Sequence, residues 1–389
     1  MDGRLDNNRE SGAGTWAPIA GVARSCRTRP AGTEGSTMAN GSNGNDTFIG
    51  TTGDDTYFAL DGDDTASGLA GDDFFDLGSG ADSADGGDGA DFLMGVGGND
   101  TLRGGLGNDS LLGGSNLSNI DTGDDEINGG AGNDVILGGD GNDLVSGEDG
   151  DDEINGNTGI DIVYGGAGRD FARGGQGDDT VFGEGDDDWH VNGNIGDDFV
   201  FAGSGNDTAF GGQGADLVYG EAGNDLIYGD LGDDFLMGDA GDDSIIGGNG
   251  NDGITGGLGN DLIEGGTGNE TVVGGNGNDL IDGGAGNDLL VGGADADTIT
   301  GGDGDDTFSI FSGDGIDVIL DFALPDDFIR IQININGTTI DDFTDLDGRM
   351  VAFESPAVSG TRIDLGAGNS LIIADIAPGD LRPVDFQFL

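Results

Sequence analysis

Acidic residues recur every nine positions through most of this chain, and that spacing limits the fold more than any other feature. Gly274-Gly-Asn-Gly-Asn-Asp279-Leu-Ile-Asp282 serves as the reference unit, with Asp279 as its anchor. The anchors run Asp46, Asp55, Asp64, Asp73, Asp82, Asp91, Asp100 and Asp109, then after a seven-residue insertion Asp125, Asp134, Asp143, Asp152, Asp161, Asp170 and Asp179. Beyond an irregular step through Asp188 and Asp198 they continue as Asp207, Asp216, Asp225, Asp234, Asp243, Asp252 and Asp261, pass Glu270, and end as Asp279, Asp288, Asp297 and Asp306. Two residues after the anchor stands an apolar side chain, as at Phe48, Phe75, Leu93, Leu111, Ile136, Val163, Val181, Val218, Ile245, Ile281 and Phe308. Alanine takes that place at 66, 84, 172 and 209, and His190 is the exception. Acidic clustering alone does not lock an apolar residue at a constant offset; an internal structural repeat does.

Each unit has two halves. The glycine-rich half turns tightly, with positive φ where a Cβ is penalised. The x-apolar-x half is a short strand that directs one side chain inward and its neighbours outward. One unit cannot bury its apolar residue except against the next, so the units must stack. Two units per coil give a flattened right-handed helix with parallel strands on two faces. At a strand spacing of about 4.8 Å, roughly fourteen coils form a rod on the order of 65–70 Å long.

Composition states the cost of that arrangement. The chain of 389 residues has 77 acidic and 12 basic side chains, a net charge of −65, and 87 glycines. A compact state with this charge repels itself unless cations are built into it; the alternative is a disordered acidic chain. The regular spacing selects the first. All twelve basic residues are arginine and form no basic patch, which argues against a nucleic-acid partner. No apolar run reaches the roughly 18 residues of a membrane span. Cys26 is the only cysteine, so no intramolecular disulfide framework exists.

The unit Gly-Gly-x-Gly-x-Asp-x-apolar-x resembles the calcium-binding nonapeptide of the repeats-in-toxin (RTX) proteins, over residues 41–320. The resemblance implies an all-β fold, a right-handed parallel β-roll with a β-rich C-terminal cap, and Ca²⁺ as its cofactor, bound as multiple ions in the turns between coils. It makes the metal ligands the anchors named above, from Asp46 to Asp306, without Asp188, Asp198 or Glu270. Ca²⁺ takes six to eight oxygen ligands in flexible geometry, which glycine-exposed carbonyls and an aspartate can supply. About 25 ions would offset most of the negative charge. Without them the chain is expected to stay disordered.

Three departures stand out. The insertion Ser115–Asp121 is expected to loop out from one edge. The interval from Asp179 to Asp198 is one residue too long, so a bulge is expected there, with Trp189 or His190 in the inward slot. Glu270 replaces an anchor and Asp295 a turn glycine.

The ends read differently from the repeat. Residues 1–37 hold five of the arginines and no repeat, and are expected to be a disordered leader or an over-called start ahead of translation from Met38. Residues 321–389 lose glycine and show strand patterns at Phe328–Ile335, Arg349–Phe353, Thr361–Leu365, Ser370–Ala374 and Val384–Leu389. Asp317-Val-Ile-Leu-Asp-Phe322, Leu365-Gly-Ala-Gly-Asn-Ser-Leu-Ile-Ile373 and Leu381-Arg-Pro-Val-Asp-Phe-Gln-Phe-Leu389 resemble the C-terminal region of type I-secreted RTX proteins. That implies an extracellular, secreted protein whose partners are calcium and the type I secretion machinery, together with a surface polysaccharide or further copies of itself.

Chemistry can be narrowed by elimination. One histidine rules out an HExxH zinc site, no Gly-x-Ser-x-Gly elbow joins a strand to a helix, and the repeat accounts for the paired carboxylates. No EF-hand loop or lysine-bearing phosphate loop is present. The chain is therefore expected to be no enzyme. Its expected role is structural or adhesive, with an auxiliary polysaccharide-binding module, like those of alginate-modifying enzymes, as the alternative.

Overall fold

After most anchors a strand of six residues follows, shortened to three to five at Thr47–Ile49, Thr56–Phe58, Ser110–Gly114 and Thr307–Ile310. In Leu280–Ala285 the side chain of Ile281 points inward and Leu280 and Asp282 point outward; Gly283 takes the second inward position. The strand is longer than the three residues expected from sequence because the first three residues of the following unit, here Gly283, Gly284 and Ala285, extend it. The computed structural model describes residues 36–114, 123–311, 315–331, 342, 345–346, 349–355, 358–366 and 369–388.

Consecutive strands alternate between two sheets. Leu280–Ala285 pairs in parallel with Leu262–Thr267 and Thr298–Asp303 in the first sheet. The intervening Thr271–Asn276 and Leu289–Ala294 pair with each other in the second. The register is one coil of two units, so Ile263, Ile281 and Ile299 stand directly above one another. About 16 such coils form a parallel β-solenoid, on the order of 75 Å long at about 4.8 Å per coil.

The core is a pair of facing apolar columns. Ile245, Ile263, Ile281 and Ile299 come from the first sheet, and Val272, Leu290 and Phe308 from the second, all with no exposed surface. Towards the N-terminal end the aliphatic column gives way to aromatic rings. Phe48 stacks on Tyr57 at 4.7 Å between centroids, and Phe75 meets Phe48 edge-on at 5.7 Å.

Two irregularities are absorbed without loss of register. Glu126–Ala131 pairs with Thr101–Leu106 as any neighbouring coil would, so the seven extra residues leave the ladder intact; the insertion itself lies outside the described residues. At the second irregularity, Phe171 pairs with His190 and Ala172 with Val191. Trp189 is therefore the extra residue. It stands 63% exposed, and Val191 fills the inward slot. Neither Trp189 nor His190 takes that slot: the bulge forms ahead of the strand, so the pairing of Phe171 with His190 brings Val191 to the inward position.

At the C-terminal end, distant segments pair with the last coils. Asn369–Ala374 adds in parallel to Ile316–Ile319, and Ser359–Gly366 and Met350–Glu354 follow antiparallel. Phe386–Phe388 adds to Phe328–Ile331 of the second sheet. Ile363, Leu365, Leu371 and Ile373 are buried there, so both strand edges and the end of the apolar column are covered. Residues 332–335 of the expected Phe328–Ile335 strand lie outside the described residues, as do residues 1–35.

The coil demands a left-handed backbone at the second glycine of the unit, and the first sheet meets that demand with Val96 at φ +86° and Leu60 at φ +92°. A β-branched residue in this region costs about 1–2 kcal/mol. Val96→Gly is therefore expected to raise the stability of the calcium-loaded protein by about 1 kcal/mol. Chemical denaturation of the two proteins measures the difference, and a variant no more stable than the parent refutes the strain.

Candidate metal centre

The turns bring every expected anchor into one of two axial columns. One runs from Asp46 through Asp64, Asp82 and Asp100 to Asp306, the other from Asp55 through Asp73, Asp91 and Asp109 to Asp297. All are buried except Asp46, which is half-buried at the N-terminal end. Within a column each carboxylate is fixed in the same way. The backbone N–H of Asp261 donates to Oδ1 of Asp279 at 2.9 Å, and that of Asp207 to Oδ1 of Asp225 at 2.9 Å. The carboxylate of each coil thus accepts from the anchor of the coil before it.

The second oxygen is left over. Oδ2 of Asp82, Asp161, Asp225, Asp279 and their equivalents in more than twenty units is buried and accepts no hydrogen bond. An unsatisfied buried acceptor costs about 1–3 kcal/mol, more if charged. Summed along the columns, that exceeds the net stability of about 5–15 kcal/mol typical of a folded domain. A bare structure of this kind is not self-supporting, so these oxygens need a cation.

The surroundings of Oδ2 fit one. A Cβ placed on Gly274 would collide with Asp279 Oδ2 and with the carbonyl oxygen of Gly292, the same position one coil on. Glycine therefore leaves a cradle in which a carboxylate oxygen and a main-chain carbonyl from adjacent coils face one space. A Cβ on Gly277, which adopts φ +130°, would likewise collide with the carbonyl oxygen of Gly259. Among the described residues no group of three or more His, Cys, Asp or Glu side chains converges. The donor set is mixed carboxylate and carbonyl oxygen, the hard ligands that suit Ca²⁺ and repel softer metals.

Electrostatics agree with that reading. Burial pushes Asp188 and Asp198 up to about 8, and like-charged anchors in adjacent coils add to it, while the donated backbone N–H opposes it. Asp161, Asp225 and Asp234 rise to about 7 for the same leading reason. The residue before the anchor behaves in the opposite way. It forms an exposed column in which Asn260 donates its N–H to Asp242 Oδ1 at 2.7 Å and its amide to the same oxygen at 3.0 Å. Those two donors hold the Asp242 carboxyl below its usual range. The inner column is thus poised for a cation, and the outer one is satisfied by hydrogen bonds.

Not every anchor is equivalent. Oδ2 of Asp46 accepts from Ser42 N–H at 2.6 Å, and Oδ2 of Asp55 from Thr51 N–H at 2.5 Å, so the first two lack the unsatisfied oxygen. Neither carboxylate oxygen of Glu270 accepts a hydrogen bond, because the longer side chain carries them past the N–H that an aspartate reaches. Asp295 adopts φ +84° and so keeps the turn that glycine makes elsewhere.

Four aspartates outside the expected set belong to the columns. Asp170 donates to Asp188 at 2.8 Å and Asp179 to Asp198 at 2.8 Å, across the bulge. Asp297 donates to Asp317 at 3.2 Å, and Asp306 to Asp327 at 3.0 Å. The spacing of nine fails at these places, but the offset to the inward residue identifies the last two: Ile319 and Ile329 each stand two residues after their aspartate and are buried.

His190 is not part of a reactive group. It lies between the rings of Phe171 and Phe210 at 4.3 and 4.6 Å, beside the Asn192 amide at 3.1 Å. Burial, assisted by Arg173, lowers it to about 4, so it is neutral.

Comparison with known proteins gives the same answer. The family model of the RTX calcium-binding nonapeptide repeat (4 copies) matches repeatedly along residues 32–319, interrupted only at 117–119 and 190–191. Among solved structures, the chain is similar to a hyperactive, Ca²⁺-dependent, β-helical antifreeze protein from an Antarctic bacterium, at 22% identity and a TM-score of 0.38, covering 70% of this chain and 84% of that one. A search of curated proteins finds no match. The family match spans well over half of the chain, follows the anchors unit by unit, and its breaks fall at the insertion and the bulge: this protein belongs to the RTX calcium-binding nonapeptide-repeat family.

Proposed function

We propose that the chain leaves the cell unfolded by a type I route, folds on binding calcium outside, and serves there as a structural or adhesive rod. The observation that carries the calcium step is the buried, unsatisfied Oδ2 repeated along both columns. The ligands in this reading are the anchor carboxylates from Asp64 to Asp306 with the glycine carbonyls beside them; Asp188 and Asp198 join the set, and its weakest members are Asp46, Asp55, Glu270 and Asp327, the last of which accepts from Ala323 N–H through Oδ2 at 2.6 Å. Calcium supplies charge neutralisation and clamps adjacent coils; the chain's own residues supply the turn geometry and exclude water from the carboxylates. Metal binding then becomes folding free energy.

In this reading 41–320 form the calcium roll, which Thr37 and Met38–Asn40 join through Asp55 and Thr56–Phe58, and 321–389 form the cap and the secretion region. Support for the last comes from the pairing of Asn369–Ala374 and Phe386–Phe388 with the final coils, since these strands carry two of the three segments that resemble secreted RTX termini. No helix among the described residues is long and apolar enough to cross a membrane. The polysaccharide-binding alternative draws on one observation: Trp189 projects from the bulge with the Arg169 guanidinium 4.5 Å from its ring centroid.

Three outcomes are expected. Circular dichroism of the full chain in chelator should show a disordered polypeptide, with β structure returning on calcium addition; equal β content in both states overturns the coupling. A truncated chain ending at residue 375 should accumulate inside the producing cell, and undiminished export defeats the secretion reading. The third concerns pH. The carboxylates of the metal-free coil keep their protons up to about pH 6–8, whereas in the unfolded chain they lose them near 4. Stability from this source is complete below about pH 4 and vanishes as pH rises through 6–8. The metal-free chain should therefore gain β structure between about pH 8 and pH 5, and calcium, which must displace those protons, should bind more weakly at the lower pH. Calorimetric titration at both values tests this; an affinity independent of pH refutes it.

A further inference from the structure

The outer face of the second sheet differs from the rest of the surface. Residues one and three after the anchor point outward there, and over nine successive coils, from Leu144 to Val291, neither column contains a charged residue. The same two columns of the first sheet carry Glu153, Arg173, Glu264 and Asp282. In a chain with 77 acidic residues, an uncharged double column about 40 Å long is a sharp local exception, bordered on the same sheet by the exposed Glu148, Glu184, Glu221 and Asp239.

The double column is also rich in aromatic side chains. Tyr164, Phe182, Phe201 and Tyr219 stack in one line, with centroids 4.9, 5.0 and 5.1 Å apart and planes within 10° of parallel. Beside them Phe199 and Phe235 are 49% and 60% exposed. The stacked rings cover one another's faces and present their edges outward, so they offer little flat surface for a sugar ring to lie on. A cationic partner finds no charge on this face and is drawn to the acidic turns instead. A second copy of the chain has the opposite constraint: with a net charge of −65, it can approach closely only where the charges are missing.

We propose that this face is the interface between two copies of the calcium-loaded chain, packed sheet on sheet about a two-fold axis. The proposal rests on the calcium-folded reading above, since the face exists only when the coils are stacked. The two-fold arrangement lays each uncharged stripe on the other and leaves the acidic turns, including Glu184, Glu221 and Asp239, at the wet rim. A stripe about 40 Å by 15 Å buries roughly 1,100–1,200 Å² in total, at the lower limit of specific interfaces. Sheets packed in this way meet at about 10 Å, the distance at which outward side chains of two faces interdigitate.

Sedimentation equilibrium of the full chain in excess calcium tests the proposal, with reductant present so that Cys26 cannot link chains. The expected species has twice the 38.8 kDa mass of the chain. Phe199→Glu and Phe235→Glu, both at exposed positions, should weaken the dimer by roughly 100-fold or more while the calcium-induced circular dichroism stays unchanged. Leu280→Glu on the first sheet should leave it intact. A calcium-folded chain that remains monomeric overturns the interface but not the calcium-folding reading, as does a dimer indifferent to Phe199→Glu. A folded monomer that co-sediments with phosphatidylcholine vesicles, or is retained on insoluble cellulose, overturns it in favour of a lipid or glycan surface. A chain that calcium fails to fold overturns both readings, and the dichroism recorded on the same sample separates this from the other failures.

Discussion

Every feature of this protein depends on the division of labour between the two oxygens of each anchor carboxylate. Oδ1 is committed to the backbone N–H of the preceding coil, as from Asp261 to Asp279, and this bond sets the spacing and register of the turns. Oδ2 is thereby aimed away from that donor into the glycine-lined space beside the carbonyl of the next coil. The same side chain is a structural strut on one side and, in the function proposed above, a metal ligand on the other. An asparagine would retain the first role and lose the charge needed for the second. A glutamate buries its charge without reaching the strut position, which is the situation of Glu270.

The apolar column is a lesser contributor. One inward residue per strand gives a core one side chain thick on each sheet, without the layered packing from which most domains draw their stability. A thin core, many glycines and strong like charge leave little in the polypeptide itself to hold the folded state, which is why the function proposed above assigns that balance to the cation. In that reading the protein's stability is held outside the polypeptide, in the concentration of a solute.

Much of this was legible from the residues. The spacing of nine, the apolar residue two places on and the glycine pairs together define a stacked two-sheet coil, and the anchors fall where the spacing places them. What escaped was local. The strand extends through the first three residues of the following unit because inward and outward alternation continues past the apolar residue, and a glycine at an inward place is indistinguishable by composition from a glycine in a turn. At the bulge, the constant offset pointed to His190, while the structure shifts the count by one residue and admits Val191. Asp317 and Asp327 were hidden by uneven spacing, although Ile319 and Ile329 marked them. The preference of Oδ2 in Asp46 and Asp55 for Ser42 and Thr51 could not be read from periodicity, since it depends on which N–H lies within reach.

The two interruptions carry a broader consequence. Seven extra residues after Gly114 and one at Trp189 leave the hydrogen-bond columns continuous, because each coil reads only the coil beneath it and has no reference to the whole. Such a molecule has no fixed size built into its core. Gain or loss of eighteen-residue segments would change its reach in steps of about 4.8 Å while leaving the terminal strands, which contact only the last coils, undisturbed. Reach is then a heritable quantity that recombination between near-identical units can adjust without passing through a misfolded intermediate.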